Sequence, residues 1–271
     1  MSSEMSNSQN FSIGVIAAFI EGIALQPTLY WKNARAHRLP FTMNPSLIYR
    51  GTFASIFNEM QMMGLQFGVT SYTQKILRNN QNESFIKKNV INISSAFIGG
   101  VISSLTSSPI ELVMIQQQLY GGTVSETLNR IILSKGLLSK GIMRGYGAGM
   151  IREGIYVVGM LGITPYIQEK LIEKYNIVKY SASFYASMIG GIVAAVPSHP
   201  FDIIKTCQQG DMDQKKYSSA LQTAHRLYQE GGIKRFYHGV FWRTINITAT
   251  IYIVNECVNY LPMYLFPVLS V

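Results

Sequence analysis

A few charged residues of this chain sit in stretches that are otherwise apolar, and they are where chemistry could happen. Arg152 and Glu153 are adjacent, with Tyr156 one turn on; Arg243 and Asn246 lie in a later run, and Asn58 and Glu59 in an earlier one. A guanidinium grips a carboxylate or phosphate through two parallel hydrogen bonds, and a carboxylate takes an ammonium group. Arg152 with Glu153 therefore suits a zwitterion such as an amino acid, with Arg243 a second anion contact and Tyr156 a flat apolar wall. The same tyrosine and arginines also suit a nucleotide, phosphates on the cations and base on the ring. Neighbouring helical residues point about 100° apart, so Arg152 and Glu153 either border one cavity or serve separate helix–helix contacts.

A second constellation is Ser198–Thr206. Pro200 interrupts an apolar run there, and Asp202 and Lys205 follow it three residues apart, on one helical face. A proline inside a helix removes a backbone hydrogen bond and usually kinks it. A charged pair just beyond such a point belongs where helices converge, or else it caps an ordinary helix end. His37, His199, His225 and His238 show no triad or metal-ligand spacing, and no glycine-rich phosphate loop follows a strand pattern, so neither an enzyme nor a metal or cofactor site is expected.

The elements that must position these residues are set by composition. Of 271 residues 48% are hydrophobic and only 14% charged, against about 25% charged in soluble domains. That balance suits membrane helices around a polar interior. The net charge of +9 is spread along the chain, which argues against a nucleic-acid partner. Cys207 and Cys257 have neither ligand spacing nor a secretory context, so no disulfide is expected. Met1–Asn10 carries no Lys or Arg, so no signal or transit peptide is expected there and any targeting information is internal.

Six apolar runs follow, at 11–38, 52–78, 85–120, 141–174, 181–209 and 240–267, each near the ~20 residues that cross a bilayer. A polar break at Asn79–Ser84 separates the second from the third. The glycines of Tyr49-Arg50-Gly51, Met143-Arg144-Gly145 and Tyr237-His238-Gly239 are 94 residues apart both times, and Pro27, Pro109 and Pro200 precede them, 82 and 91 apart. Three copies of a two-helix unit, approximately 11–80, 85–175 and 181–265, make one domain over 1–271. Small pairs Gly14/Ala18, Ala96/Gly100 and Ser187/Gly191 stand in register with the prolines, a spacing that lets membrane helices approach closely. Fourteen basic residues in all lie in the three segments from proline to glycine and seven on the other side, so both termini are expected on the less basic face.

These residues resemble the mitochondrial carrier family, whose repeats carry Pro-x-acid-x-x-base on the odd helix and aromatic-basic-Gly before the even one. The third repeat is closest, with Pro200, Asp202, Lys205 and Gln209, then Glu230-Gly231-Gly232. The second has Pro109, Glu111, Met114 and Gln118; the first has Pro27, Leu29 and Lys32. The resemblance runs from Phe11 to Leu261. It implies an all-α membrane protein of six transmembrane helices, three pseudo-symmetric repeats forming a barrel, kinked at Pro27, Pro109 and Pro200. It also implies alternating-access transport of a small metabolite across the mitochondrial inner membrane. The termini would face the intermembrane space, the chain would be a monomer, and cardiolipin would be the lipid partner at the matrix-side helix ends.

Carried over residue by residue, the matrix gate would pair Glu111 with Lys205 and Asp202 with Lys32, and set Leu29 against Met114, with Gln118 and Gln209 beside them. Both members of the third pair are apolar, so no charge is left alone. The far ends of the even helices depart more: Thr70-Ser71-x-x-Gln74, Thr164-Pro165-x-x-Gln168 and Asn255-Glu256-x-x-Asn259 keep one acid and no base. Closure there is expected through neutral hydrogen bonds, which puts obligatory exchange in doubt. Asn58, Arg152 and Arg243 each lie thirteen residues before Ser71, Pro165 and Glu256, at the depth where this family contacts substrate. The first repeat has 24 residues from Pro27 to Gly51, against 36 and 39, so its surface helix should be missing. The even helices lack the family's proline at Gln61, Ile155 and Asn246 and should be straighter than in most relatives. A non-transporting scaffold or insertase is the alternative of another class.

Overall fold

The computed structural model describes residues 7–77, 85–135 and 141–265, whose regular elements are helices, with no strand among them. The break at Asn79–Ser84, the first six residues and Lys140 lie outside the described residues, as does the packing of Gly14. Eleven α-helices follow in order: α1 (Asn7–Ala24), α2 (Gln26–Ala36), α3 (Pro45–Ile48), α4 (Thr52–Leu77), α5 (Phe85–Tyr120), α6 (Val124–Lys135), α7 (Tyr146–Val157), α8 (Thr164–Tyr175), α9 (Lys179–Gly210), α10 (Ala220–Arg235) and α11 (Val240–Leu265). A π-helical turn, Val158–Ile163, joins α7 to α8.

The long helices adjoin in chain order: α1 packs on α4, α4 on α5, α5 on α7, α7 and α8 on α9, and α9 on α11, which returns to α1 and α2. Small residues make the close approaches. A Cβ at Gly100 would meet the backbone of Glu153 and Gly154, and one at Gly191 would meet Thr248.

Each helix turns its polar groups inward. On α9, Ser183, Ser187, Gly190, Gly191, Ala194, Ser198, His199 and Asp202 are buried, whereas Phe184, Tyr185, Met188, Ile189, Ile192 and Val196 are exposed. A soluble protein rarely exposes so long an apolar stripe. Among the described residues, two helices are long and apolar enough in composition to cross a membrane, Asn89–Tyr120 and Lys179–Gly210.

The repeat register is visible in the backbone. Gly51, Gly145 and Gly239 open α4, α7 and α11 with φ of +77°, +79° and +88°, a region that only glycine enters without strain. Each also abuts the base position of the next repeat. A Cβ on Gly51 would come 3.2 Å from Met114, on Gly145 3.2 Å from Lys205, and on Gly239 3.1 Å from the Lys32 carbonyl oxygen.

The surface helices follow chain length. The second and third repeats carry α6 and α10, whereas the short first repeat has only the single turn α3. Helix α6 begins with a reciprocal cap, Thr123 Oγ1 accepting from the Glu126 amide at 3.2 Å and Glu126 Oε2 from the Thr123 amide at 2.9 Å. In α10 the helix breaks at Gly231–Gly232, where Gly232 has φ of +60°.

Pro27 occupies the first turn of α2, beside the break after α1, whereas Pro109 lies within α5 and Pro197 and Pro200 lie within α9. The α9 backbone is supported by Ser198, whose hydroxyl donates to the Ala194 carbonyl at 2.6 Å. The fourth apolar run is not one regular α-helix. Proline at 165 lacks an N–H, and Thr164 Oγ1 instead donates to the Gly159 carbonyl at 2.8 Å, holding the widened turn.

Candidate functional site: a buried charge network under an open cavity

Asp202 and Lys205 leave one face of α9 where it meets both α2 and α5. Lys32 Nζ lies 3.1 Å from Asp202 Oδ2, and Lys205 Nζ pairs with Glu111 Oε2. Leu29 packs into the apolar cluster of Ala54, Met114 and Ile115. The Pro-x-acid-x-x-base positions thus meet in cyclic order, two pairs charged and one apolar.

Each carboxylate has more lone pairs than one lysine can satisfy, and both are nearly sealed from water, Asp202 at 1% exposure and Glu111 at 7%. The arginines supply the remainder. Arg152 Nη1 lies 3.1 Å from Asp202 Oδ1 and its Nη2 2.5 Å from Glu111 Oε1, and Nη2 also pairs with Glu153. Arg243 Nη1 reaches the same Asp202 oxygen at 3.1 Å, while its Nη2 donates to Ser198 Oγ at 2.9 Å. Four cations therefore surround three carboxylates. The arginines expected at a substrate site are, in this conformation, also members of the network of Lys32, Glu111, Asp202 and Lys205.

Two spaces flank the network. The smaller, about 300 Å³, is bordered by Leu29, Lys32, Asn58, Glu59, Met114, Lys205 and Gln209. The larger, about 470 Å³ and open, is bordered by Glu59, Arg152, Glu153, Tyr156, Arg243 and Asn246, together with Glu21 and Thr250. All the substrate-contact candidates except Asn58 thus share one cavity. Asn58 is buried, and its amide donates to Met62 Sδ at 3.4 Å. Asn246 Nδ2 donates to Thr28 Oγ1 at 2.9 Å, beside the break between α1 and α2.

The decisive comparison is with known sequences. The mitochondrial carrier protein family profile matches residues 177–258. The mitochondrial 2-oxodicarboxylate carrier 2 of Saccharomyces cerevisiae is 26% identical over 205 residues, 72% of this chain and 65% of that one. The mitochondrial glycine transporter of the same yeast is 27% identical over 207 residues, 72% and 67% of the two chains. The human mitochondrial 2-oxodicarboxylate carrier is 23% identical over 232 residues, 82% and 76%. The chain is thus similar to mitochondrial carriers, at 23–27% identity over most of its length. It spans about two thirds of the length of the yeast relatives.

Of the two glutamines, Gln209 borders the smaller space and ties backbone, whereas Gln118 meets a side chain. Gln209 Nε2 donates to the carbonyls of Ser108 at 3.1 Å and Arg144 at 3.2 Å, and Gln118 Oε1 accepts from Asn33 at 2.6 Å. The loops beyond hold the repeats together. Arg144 donates to the carbonyls of Gln208 and Tyr217. Glu230 collects Lys216 at 2.8 Å, Tyr217 Oη at 2.9 Å, Arg235 at 3.2 Å and Arg38 at 3.3 Å. Burial alone pushes the Glu230 carboxyl up, but those hydrogen bonds outweigh it and hold the group at about 2. His37 goes the other way for a base: burial, then Arg235 and Lys32, press its imidazole down to about 4.

At the opposite end, Asn255 Nδ2 donates to Gln168 Oε1 at 3.2 Å, and Ser183 Oγ to Glu256 Oε1 at 2.9 Å. The Asn259 side chain lies outside the described residues. His199 is fully buried, its Nε2 3.2 Å from the His238 carbonyl oxygen. Cys207 and Cys257 are free thiols. Among the described residues no cluster of His, Cys, Asp and Glu could hold a metal ion. Sequence reasoning missed Glu21 and Thr250. The signal was present, an acid inside the apolar run Phe11–Leu25, but its partner Thr250 lies 229 residues away in the chain.

Proposed function

We propose that this chain is a carrier, not an enzyme, that moves a small charged metabolite across the mitochondrial inner membrane. Its single domain, 1–271, would span the membrane six times as a barrel of three repeats, a monomer with both termini toward the intermembrane space. Cardiolipin would sit at the matrix-side helix ends. The observation that carries this reading is the ring of base positions and acids at one end of an open, charge-lined cavity, made by one helix from each repeat. Such a ring is closed in one state and has to open in the other. Opening would part Lys32 from Asp202 and Lys205 from Glu111, and free Arg152 and Arg243 to hold substrate. Ligand binding thus competes with the gate acids for the same cations, a differential interaction of the kind that can bias a two-state equilibrium.

An amino acid or related zwitterion fits Arg152 and Glu153 best among metabolites, and a nucleotide is the variant. Closure of the far end would rest on neutral contacts such as that of Asn255 with Gln168, so exchange would not be obligatory. Uptake by proteoliposomes tests the reading: saturable flux of an amino acid, lost in Arg152→Ala, supports it. A purified chain that carries no amino acid, nucleotide or carboxylate would instead be a scaffold.

A further inference from the structure

The charges lining the open cavity do not balance. Lys32, Arg152 and Arg243 are committed to Asp202, Glu111 and Glu153, and Lys205 to Glu111. Two acids of the lining, Glu21 on α1 and Glu59 on α4, are left over, and among the described residues neither forms an ion pair.

Glu21 is 95% buried by its 5% exposure, yet only half satisfied. Thr250 Oγ1 donates to its Oε1 at 2.6 Å and so fixes the carboxylate in place, while Oε2 has no hydrogen-bond partner. An acid sealed from bulk water with one free oxygen beside a cavity has an unmet need for a donor. Glu59 borders the same space from the neighbouring helix, and the ring of Tyr156 borders it from α7. An oriented carboxylate, a second carboxylate and an aromatic wall are the groups that hold an organic cation.

We propose that Glu21 and Glu59 form a cation subsite that seats the primary ammonium or guanidinium group of the transported molecule. The inference rests on the carrier reading and sharpens it: the cargo carries at least one positive group more than it needs for Arg152 and Glu153. A dicarboxylate would add two negative charges to a lining already richer in acids than bases. A cationic amino acid or a diamine would complete it. An acidic group on such a substrate would take Arg152 as the gate opens, while the cation stays on the first-repeat wall.

Thermal unfolding of the purified full chain with putrescine, L-lysine or glutarate tests this apart from transport. Putrescine and L-lysine should raise the unfolding temperature. Glu21→Gln and Glu59→Gln should each weaken that response about tenfold, the loss of one charged hydrogen bond, whereas Glu173→Gln on α8 should not. No stabilisation by either cation, or an unchanged response in both Gln variants, overturns the subsite. Stabilisation by glutarate alone also overturns it while leaving the carrier reading standing. Cation binding that depends on Glu21 without any flux in proteoliposomes would uphold the subsite and sink the carrier reading.

Discussion

Arg152 of α7 lies 3.1 Å from Asp202 of α9, so a residue bordering the open cavity is tied to an acid of the buried network. Asp202 also holds Lys32 and Arg243, so three cations of the network share this one carboxylate. Asp202→Ala would leave three positive groups facing one another in a buried site. Breaking a buried pair costs about 3–5 kcal/mol, and the loss here should lie at the upper end. Leu29→Ala, at the partly buried apolar position, should cost less than half as much. Denaturant titration in detergent of the two variants checks the order; equal losses would mean that the network is not coupled through Asp202.

The apolar third of the ring predicts a reciprocal effect. Leu29 and Met114 replace a charged pair without leaving a lone charge. Leu29→Glu alone should destabilise by about 3 kcal/mol, and Met114→Lys alone by a similar amount, because each buries an unpaired ion. The double variant should recover most of the loss. A double-mutant cycle measures this, and additive costs would show that the two side chains do not face each other.

Gly145 and Gly147 provide a matched comparison. At Gly145 the φ of +79° strains any side chain, and a Cβ would press on Lys205 at 3.2 Å. Gly147 has no atom within 4 Å of its Cβ direction and lies in helix α7. Gly145→Ala should cost about 1–2 kcal/mol, and Gly147→Ala should be neutral or slightly stabilising. Melting temperatures of the two variants decide it.

The repeat register was legible in glycines 94 residues apart, and the partners Lys32–Asp202 and Lys205–Glu111 were implied by the resemblance carried onto those positions. The engagement of Arg152 and Arg243 was not. A long flexible side chain chooses its partner by reach and desolvation, and nothing in the spacing of Arg152 and Asp202 reports that they meet. Glu21 was visible as an acid in an apolar run, but its orphaned oxygen depends on where Thr250 and the cavity lie. The widened turn at Val158–Ile163 escaped because Pro165 acts from outside the position where a kink was sought.

The loop cluster around Glu230 and His37 makes stability fall in acid, in two steps. His37 is neutral in the folded chain down to about 4, while an unfolded histidine takes a proton near 6.5, so the unfolded state binds the extra proton between those values. Stability is then fully present above 6.5 and falls as pH drops toward 4. Glu230 is ionised in the folded chain down to about 2, whereas unfolded it takes a proton near 4.5, so a second loss runs from 4.5 to 2. Melting temperature against pH should show both slopes. His37→Gln should flatten the upper one and Glu230→Gln the lower one, each leaving the other in place. A profile that His37→Gln does not change between 6.5 and 4 would show that another group titrates there.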